Sequence, residues 1–135
     1  MSYLNEILTV QTHQRNEMID ITPAITSAVS KTDIEAGIAI VFCPHTTAGI
    51  TINENADPDV PHDILLTLDE LLPQLRKGYR HSEGNSDAHV KSTLVGASET
   101  IFIQNGQLKL GTWQGVYFCE FDGPRSRHVN LHIMG

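Results

Sequence analysis

Positive charge is scarce in this chain. Its 135 residues hold nine Lys and Arg against 16 Asp and Glu, a formal net charge of −7 at pH 7. An acidic surface repels a phosphate backbone, which argues against general nucleic-acid binding. Long apolar runs are missing too. No stretch approaches the roughly 20 residues needed to cross a bilayer, so no membrane partner is expected. The opening residues, MSYLNEILTV, have neither a basic n-region nor a small-residue cleavage site. They do not read as a signal peptide, and a cytoplasmic location is expected. Cysteine is limited to Cys43 and Cys119, each inside an apolar run. Both are read as buried free thiols, and the lack of a C-x-x-C pair removes a cysteine-built zinc site. There is no G-x-G-x-x-G, no Walker loop and no G-x-S-x-G elbow, which removes the chemistries those motifs carry.

What is present suits one soluble domain spanning residues 1–135, with 40% hydrophobic and 19% charged residues. Strand-like runs cover Tyr3–Thr12 and Glu17–Ile21. Thr22 followed by Pro23 predicts a capped helix over about 23–31. The apolar run Gly37–Cys43 predicts a strand buried on both faces. Val60, Ile64, Leu68 and Leu71 recur at helical spacing and place the longest helix between Asp57 or Asp59 and Pro73. A shorter helix is expected from Ser86 or Asp87 to Gly96, with Val90 and Leu94 inward. Asn105-Gly106 predicts a hairpin turn. A strand is expected through WQGVYFCEF, with Trp113 in core or interface packing. In RHVNLHI, Arg127, Val129, Leu131 and Ile133 alternate with His128, Asn130 and His132. The sum is an α+β fold, an antiparallel β-rich single domain with two or three helices.

Three polar stretches hold more chemistry than a fold needs: HTTAGITINENAD (45–57), YRHSEGNSDAH (79–89) and EFDGPRSRH (120–128). His45, His81 and His89 lie in turn-forming surroundings. Three neutral imidazoles commonly hold a divalent metal; the alternative is that they fasten loops by hydrogen bonds. Glu54, Asp87 and Glu120 are candidate catalytic carboxylates, although Asp87 also suits a helix cap. Glu120 shares a strand face with Val116 and Phe118, so it is expected inward and paired with Arg125 or Arg127. Arg125, Arg127, Thr46, Thr47, Asn85 and Ser86 are candidate anion readers. For the arginines the alternative is that one pairs with Glu120 or Asp122 and the other is solvated.

Three longer stretches that include these clusters, HTTAGITINENADPDV, YRHSEGNSDAHVKSTLVG and LGTWQGVYFCEFDGPRSRHV, resemble the signature stretches of the YjbQ family. The resemblance implies a YjbQ-like α+β fold assembled as a homotrimer. It also implies a secondary thiamine-phosphate synthase activity, in which a pyrimidine pyrophosphate and a thiazole phosphate join and pyrophosphate leaves. It favours a divalent metal, zinc or magnesium, at His45, His81 and His89, and a small phosphorylated metabolite as ligand. Two other readings stay open: a metal-dependent hydrolase or lyase of another anionic metabolite, and a non-catalytic ligand-binding trimer.

Overall fold

The computed structural model describes residues 2–135. In chain order the elements are β1 (Tyr3–Gln11), β2 (Glu17–Asp20), α1 (Thr22–Ser30), β3 (Ala36–Phe42), β4 (Ala48–Glu54), α2 (Asp59–Leu71), α3 (Ser86–Val95), β5 (Ser98–Gln104), β6 (Gln107–Leu108), β7 (Gln114–Glu120) and β8 (Ser126–Met134). The strands form two antiparallel sheets, ordered β1-β8-β3-β5-β6 and β2-β7-β4. The fold is α+β with three helices, as the sequence predicts.

Between the sheets lies the main core. Alternation puts Val129, Leu131 and Ile133 of β8 against it, with Ala39 and Val41 of β3 and Ile101 and Ile103 of β5. From the other sheet come Ala48, Ile50, Val116 and Phe118. The opposite face of β7 carries Tyr117 and Cys119 into a second cluster, joined by Phe121 just past the strand's end, Leu65 and Leu68 of α2 and Ala88 of α3. So β7 is the strand buried on both faces, and the expectation placed on β3 is corrected. Ile38 and Ile40 of β3 are half-buried and Phe42 is exposed. They share an uncovered sheet face with Ile7, His132 and Phe102. Both cysteines are buried free thiols, and burial pushes Cys119 up to about 12.

Two local expectations are corrected and one is narrowed. Val90 and Leu94 point outward from α3, and its buried residues are Asp87, Ala88 and Lys91. Of the two placements expected for Trp113, its 62% exposure in the single chain excludes the core and leaves the interface. The N-cap of α1 is Ile21 rather than Thr22; the Thr22 hydroxyl instead accepts the Val116 N–H and donates to Asp20. The hairpin turn at Asn105-Gly106 is present, with φ of 54° and 73°. Among the described residues, no helix is long and apolar enough to cross a membrane.

Candidate functional site

The strands of both sheets end at one rim of the sandwich, and the three polar stretches meet there. β3 leaves the core at Phe42 and delivers Pro44, His45, Thr46 and Thr47. The loop before α3 and its first turns deliver Glu83, Asn85 and His89. The turn from β7 to β8 delivers Asp122, Arg125 and Arg127. Together they line a polar pocket of about 330 Å³. Gly123 lets this turn lie close to the loop after β1. A Cβ there would meet the Gln14 carbonyl oxygen at 2.3 Å and the Thr12 hydroxyl at 2.9 Å.

The floor is an ion pair. Glu120 continues the inward face of Val116 and Phe118, and Arg127 continues the inward face of Val129, so they meet where the sheets end. Arg127 Nε donates to Glu120 Oε1 at 2.8 Å and Nη2 donates to Oε2. Nη2 also donates to the Thr47 hydroxyl at 2.8 Å. Glu120 further accepts from the Thr12 hydroxyl and from the backbone N–H groups of Phe121 and Asp122. Burial alone would raise the Glu120 carboxyl; the Arg127 and backbone hydrogen bonds outweigh it and hold the group below its ordinary value. All these contacts use Nε and Nη2 of Arg127. Among the described residues none takes Nη1, and Arg127 lines the pocket.

On one wall, Asn85 donates from Nδ2 to Asp122 Oδ2 at 2.8 Å, which Arg125 Nη2 also approaches at 3.3 Å. Asn85 Oδ1 is buried and has no hydrogen-bond partner, alone in this among the described side chains. Behind Asn85 and His89, α3 is anchored by charge. Asp87 accepts a two-pronged bond from Arg15, both arms at 3.0 Å, and a third from Lys91 at 3.0 Å. Lys91 reaches on to Asp69 at 2.7 Å. Burial raises the Asp87 carboxyl, and Arg15 and Lys91 more than reverse it. Asp87 is therefore spoken for by its cations and does not face the pocket. Glu54 ends β4, away from the pocket lining, with its carbonyl bonded to the Tyr117 hydroxyl. Ser86 lies in the first turn of α3, and it too stands outside the lining.

On the histidine side, His128 N–H donates to His45 Nε2 at 2.9 Å, and the His128 carbonyl oxygen lies 3.1 Å from the same nitrogen. One ring nitrogen carries either a proton or a lone pair, so Nε2 serves one of these two His128 backbone contacts, and the tautomer decides which. Burial, followed by the Arg127 charge, lowers the His45 pKa. His45 is thus a neutral ring with one N–H to donate. His81 and His89 stand edge to face, ring centroids 5.2 Å apart, with His81 Nε2 3.5 Å from Glu83. A metal on His45, His81 and His89 does not fit these residues within one chain. Nε2 of His45 is already engaged by the His128 backbone. Among the described residues no three His, Cys, Asp or Glu side chains gather closely enough to hold an ion.

With this geometry in place, the chain can be set beside known proteins. The family model described as UPF0047 protein YjbQ-like matches residues 6–135. The chain belongs to the YjbQ-like family. It is 55% identical to UPF0047 protein YugU of Bacillus subtilis over 128 residues, covering 95% of this chain and 97% of that one. The UPF0047 protein of Methanocaldococcus jannaschii is 56% identical, covering 93% and 91%. A crystal structure of an uncharacterized YjbQ/UPF0047 protein from Clostridium acetobutylicum superimposes with a TM-score of 0.93 at 54% identity, covering 96% of this chain and 99% of that one. One from Sulfolobus solfataricus, described as of unknown function, gives 0.94 at 33% identity, covering 99% and 98%. Those descriptions overturn the expected thiamine-phosphate synthase activity. Membership in this family brings the fold with no assigned reaction.

The residues that the sequence did not single out are Arg15, Lys91 and Thr12. Asp87 and Lys91 stand at i, i+4, a spacing that pairs on a helix, and that signal was available. Arg15 and Thr12 meet partners 72 and 108 positions away, which no local pattern reveals.

Proposed function

We propose that the rim pocket binds a small anionic metabolite and supports acid–base chemistry on it. The observation that carries this is Arg127, a residue of the polar pocket's lining whose guanidinium is clamped by Glu120 and Thr47 through Nε and Nη2, with Nη1 taken by no described residue. A preorganised donor spends no reorganisation energy when an anion arrives, and a buried one gains strength from its surroundings. Arg125 supplies a second guanidinium at the rim. His45 offers a neutral N–H donor, and His89 places a second imidazole in the lining. Phosphorylated compounds are among the ligands this reading admits.

The test is an amide-resolved NMR titration with inorganic phosphate and with acetate. Shifts confined to residues 45–47, 83–89 and 122–127 support the proposal, with loss of those shifts in Arg125→Gln and weakening in His89→Gln. No response to either anion at millimolar concentration refutes it.

The homotrimer implied by the resemblance belongs with this proposal. Its support is the uncovered face of the five-stranded sheet, where Tyr3, Ile7 and Phe102 are each more than 60% exposed and a cavity of about 550 Å³ is lined in part by Ile7, Ile40 and Phe42. An apolar face of that kind marks an association surface.

A further inference from the structure

The charges around the pocket narrow the ligand, taking the anion-binding reading above as given. Arg125 and Arg127 are its two guanidiniums, and each already faces a carboxylate. Arg127 is bonded to Glu120, and Arg125 lies 3.3 Å from Asp122. Glu83 shares the lining with Asp122, and Glu120 beneath Arg127 brings the carboxylates to three. Counting the arginines and carboxylates alone, two cations stand against three anions, a net charge of −1. The salt bridges behind α3 balance internally, Arg15 and Lys91 against Asp87 and Asp69. Nothing in this arrangement offsets a second or third negative charge on a ligand. Sites that hold phosphate chains carry uncompensated cations, and each guanidinium here already faces a carboxylate.

The lining also asks for donors. Asn85 Oδ1 is a buried acceptor with nothing donating to it, beside the carboxylates of Asp122 and Glu83. An unsatisfied buried acceptor is costly, and a ligand O–H or N–H next to the anionic group relieves it. A bare anion has no such donor.

We infer that the ligand is a small monocarboxylate bearing an adjacent O–H or N–H group, of the hydroxy-acid or amino-acid class. Its carboxylate sits on Nη1 of Arg127. Its donors face Asn85, Asp122 and Glu83.

The experiment compares glycolate, glycine, acetate, inorganic phosphate and pyrophosphate by NMR titration of the intact protein. It is run at pH 8.5, above the ordinary imidazole range, so that the histidines add no charge. Glycolate or glycine is expected to bind roughly tenfold more tightly than acetate, the increment of one well-made hydrogen bond. Pyrophosphate is expected to be weakest. In Glu83→Gln, which removes an exposed negative charge, pyrophosphate should gain roughly threefold while acetate changes less. Pyrophosphate or phosphate outbinding the carboxylates in the unaltered protein overturns this inference and leaves the anion pocket standing. Acetate matching glycolate and glycine overturns the donor requirement. Silence from every anion overturns the pocket reading itself.

Discussion

Arg127 and Glu120 form a two-pronged ion pair at the rim where the two sheets end, with Glu120 0% and Arg127 3% exposed. Removing one member of such a pair leaves an uncompensated buried charge, at a cost of about 3–5 kcal/mol. Glu120→Ala should therefore destabilise the protein by about 3 kcal/mol or more. Urea unfolding monitored by circular dichroism measures it. A loss under about 1 kcal/mol would mean that water reaches the pair.

Acid sensitivity follows from the same carboxyl and from Asp87. Both sit below their ordinary values of 4.5 and 3.8, because the bonds from Arg127 to one and from Arg15 and Lys91 to the other outweigh burial. A carboxyl lowered by folding stabilises the native state above its unfolded pKa, and that contribution is lost as pH falls through the folded value. Stability should stay level on these groups' account from pH 7 down to about 5, then decline steadily below about 4.5. Glu120→Gln should start lower and decline less steeply over that acid range, as read from urea midpoints at each pH.

His45 should titrate below 6.5, the ordinary imidazole value, since burial and the Arg127 charge both disfavour its cation. A histidine lowered in this way adds stability above the unfolded pKa and loses it as pH falls toward the folded one. Nitrogen-15 spectra of the ring at pH 8 identify the tautomer. An unprotonated Nε2 accepts the His128 N–H, and an Nε2–H donates to the His128 carbonyl oxygen.

Lys91 is 1% exposed, and its ammonium binds Asp87 and Asp69 from inside the fold. Lys91→Met keeps the stem and removes the charge, leaving Asp87 to Arg15 alone. Amide hydrogen exchange in α3 should accelerate by roughly tenfold or more, the mark of lost local stability of about 1.4 kcal/mol. Exchange unchanged in α3 would show that Arg15 suffices.

On the open sheet face, Phe42→Asp places a charge beside Ile40 and Ile7 without touching the core. Sedimentation should find a homotrimer in the unaltered protein and a folded monomer in this variant. A monomer in both would remove the assembly proposal.

Much of the fold could be read from periodicity. Alternation in RHVNLHI assigned both faces of β8 because every second residue there is β-branched or long and apolar. Asn105-Gly106 marked its turn because both positions need positive φ. What resisted reading were places where charge goes inward. α3 was oriented by its apolar residues Val90 and Leu94, yet Asp87 and Lys91 neutralise each other and occupy the buried side, and the apolar pair is left outside. β3 and β7 both look like fully buried strands, and only the arrangement of layers decides which one is covered twice. In the candidate site, Glu120 was legible as inward from its strand phase. Its partner could be narrowed only to Arg125 or Arg127, since a turn of unknown shape separates them from β7. The use of His45 Nε2 by the His128 backbone had no sequence signature at all.

Thr12, Glu120 and Arg127 also tie the pocket to the order of synthesis. The floor needs the end of β1, the end of β7 and the start of β8 together, and β1 pairs with β8 along its whole length. A nascent chain has released β1 long before β8 exists, so for most of its time on the ribosome the pocket has no floor. Early folding can gather local pieces such as the Asn105-Gly106 hairpin, whereas joining the first strand to the last closes the longest loop in the molecule and is slow on that account. Ligand-binding competence in this protein is therefore a late event, and its appearance after dilution from denaturant would time the docking of the final strand.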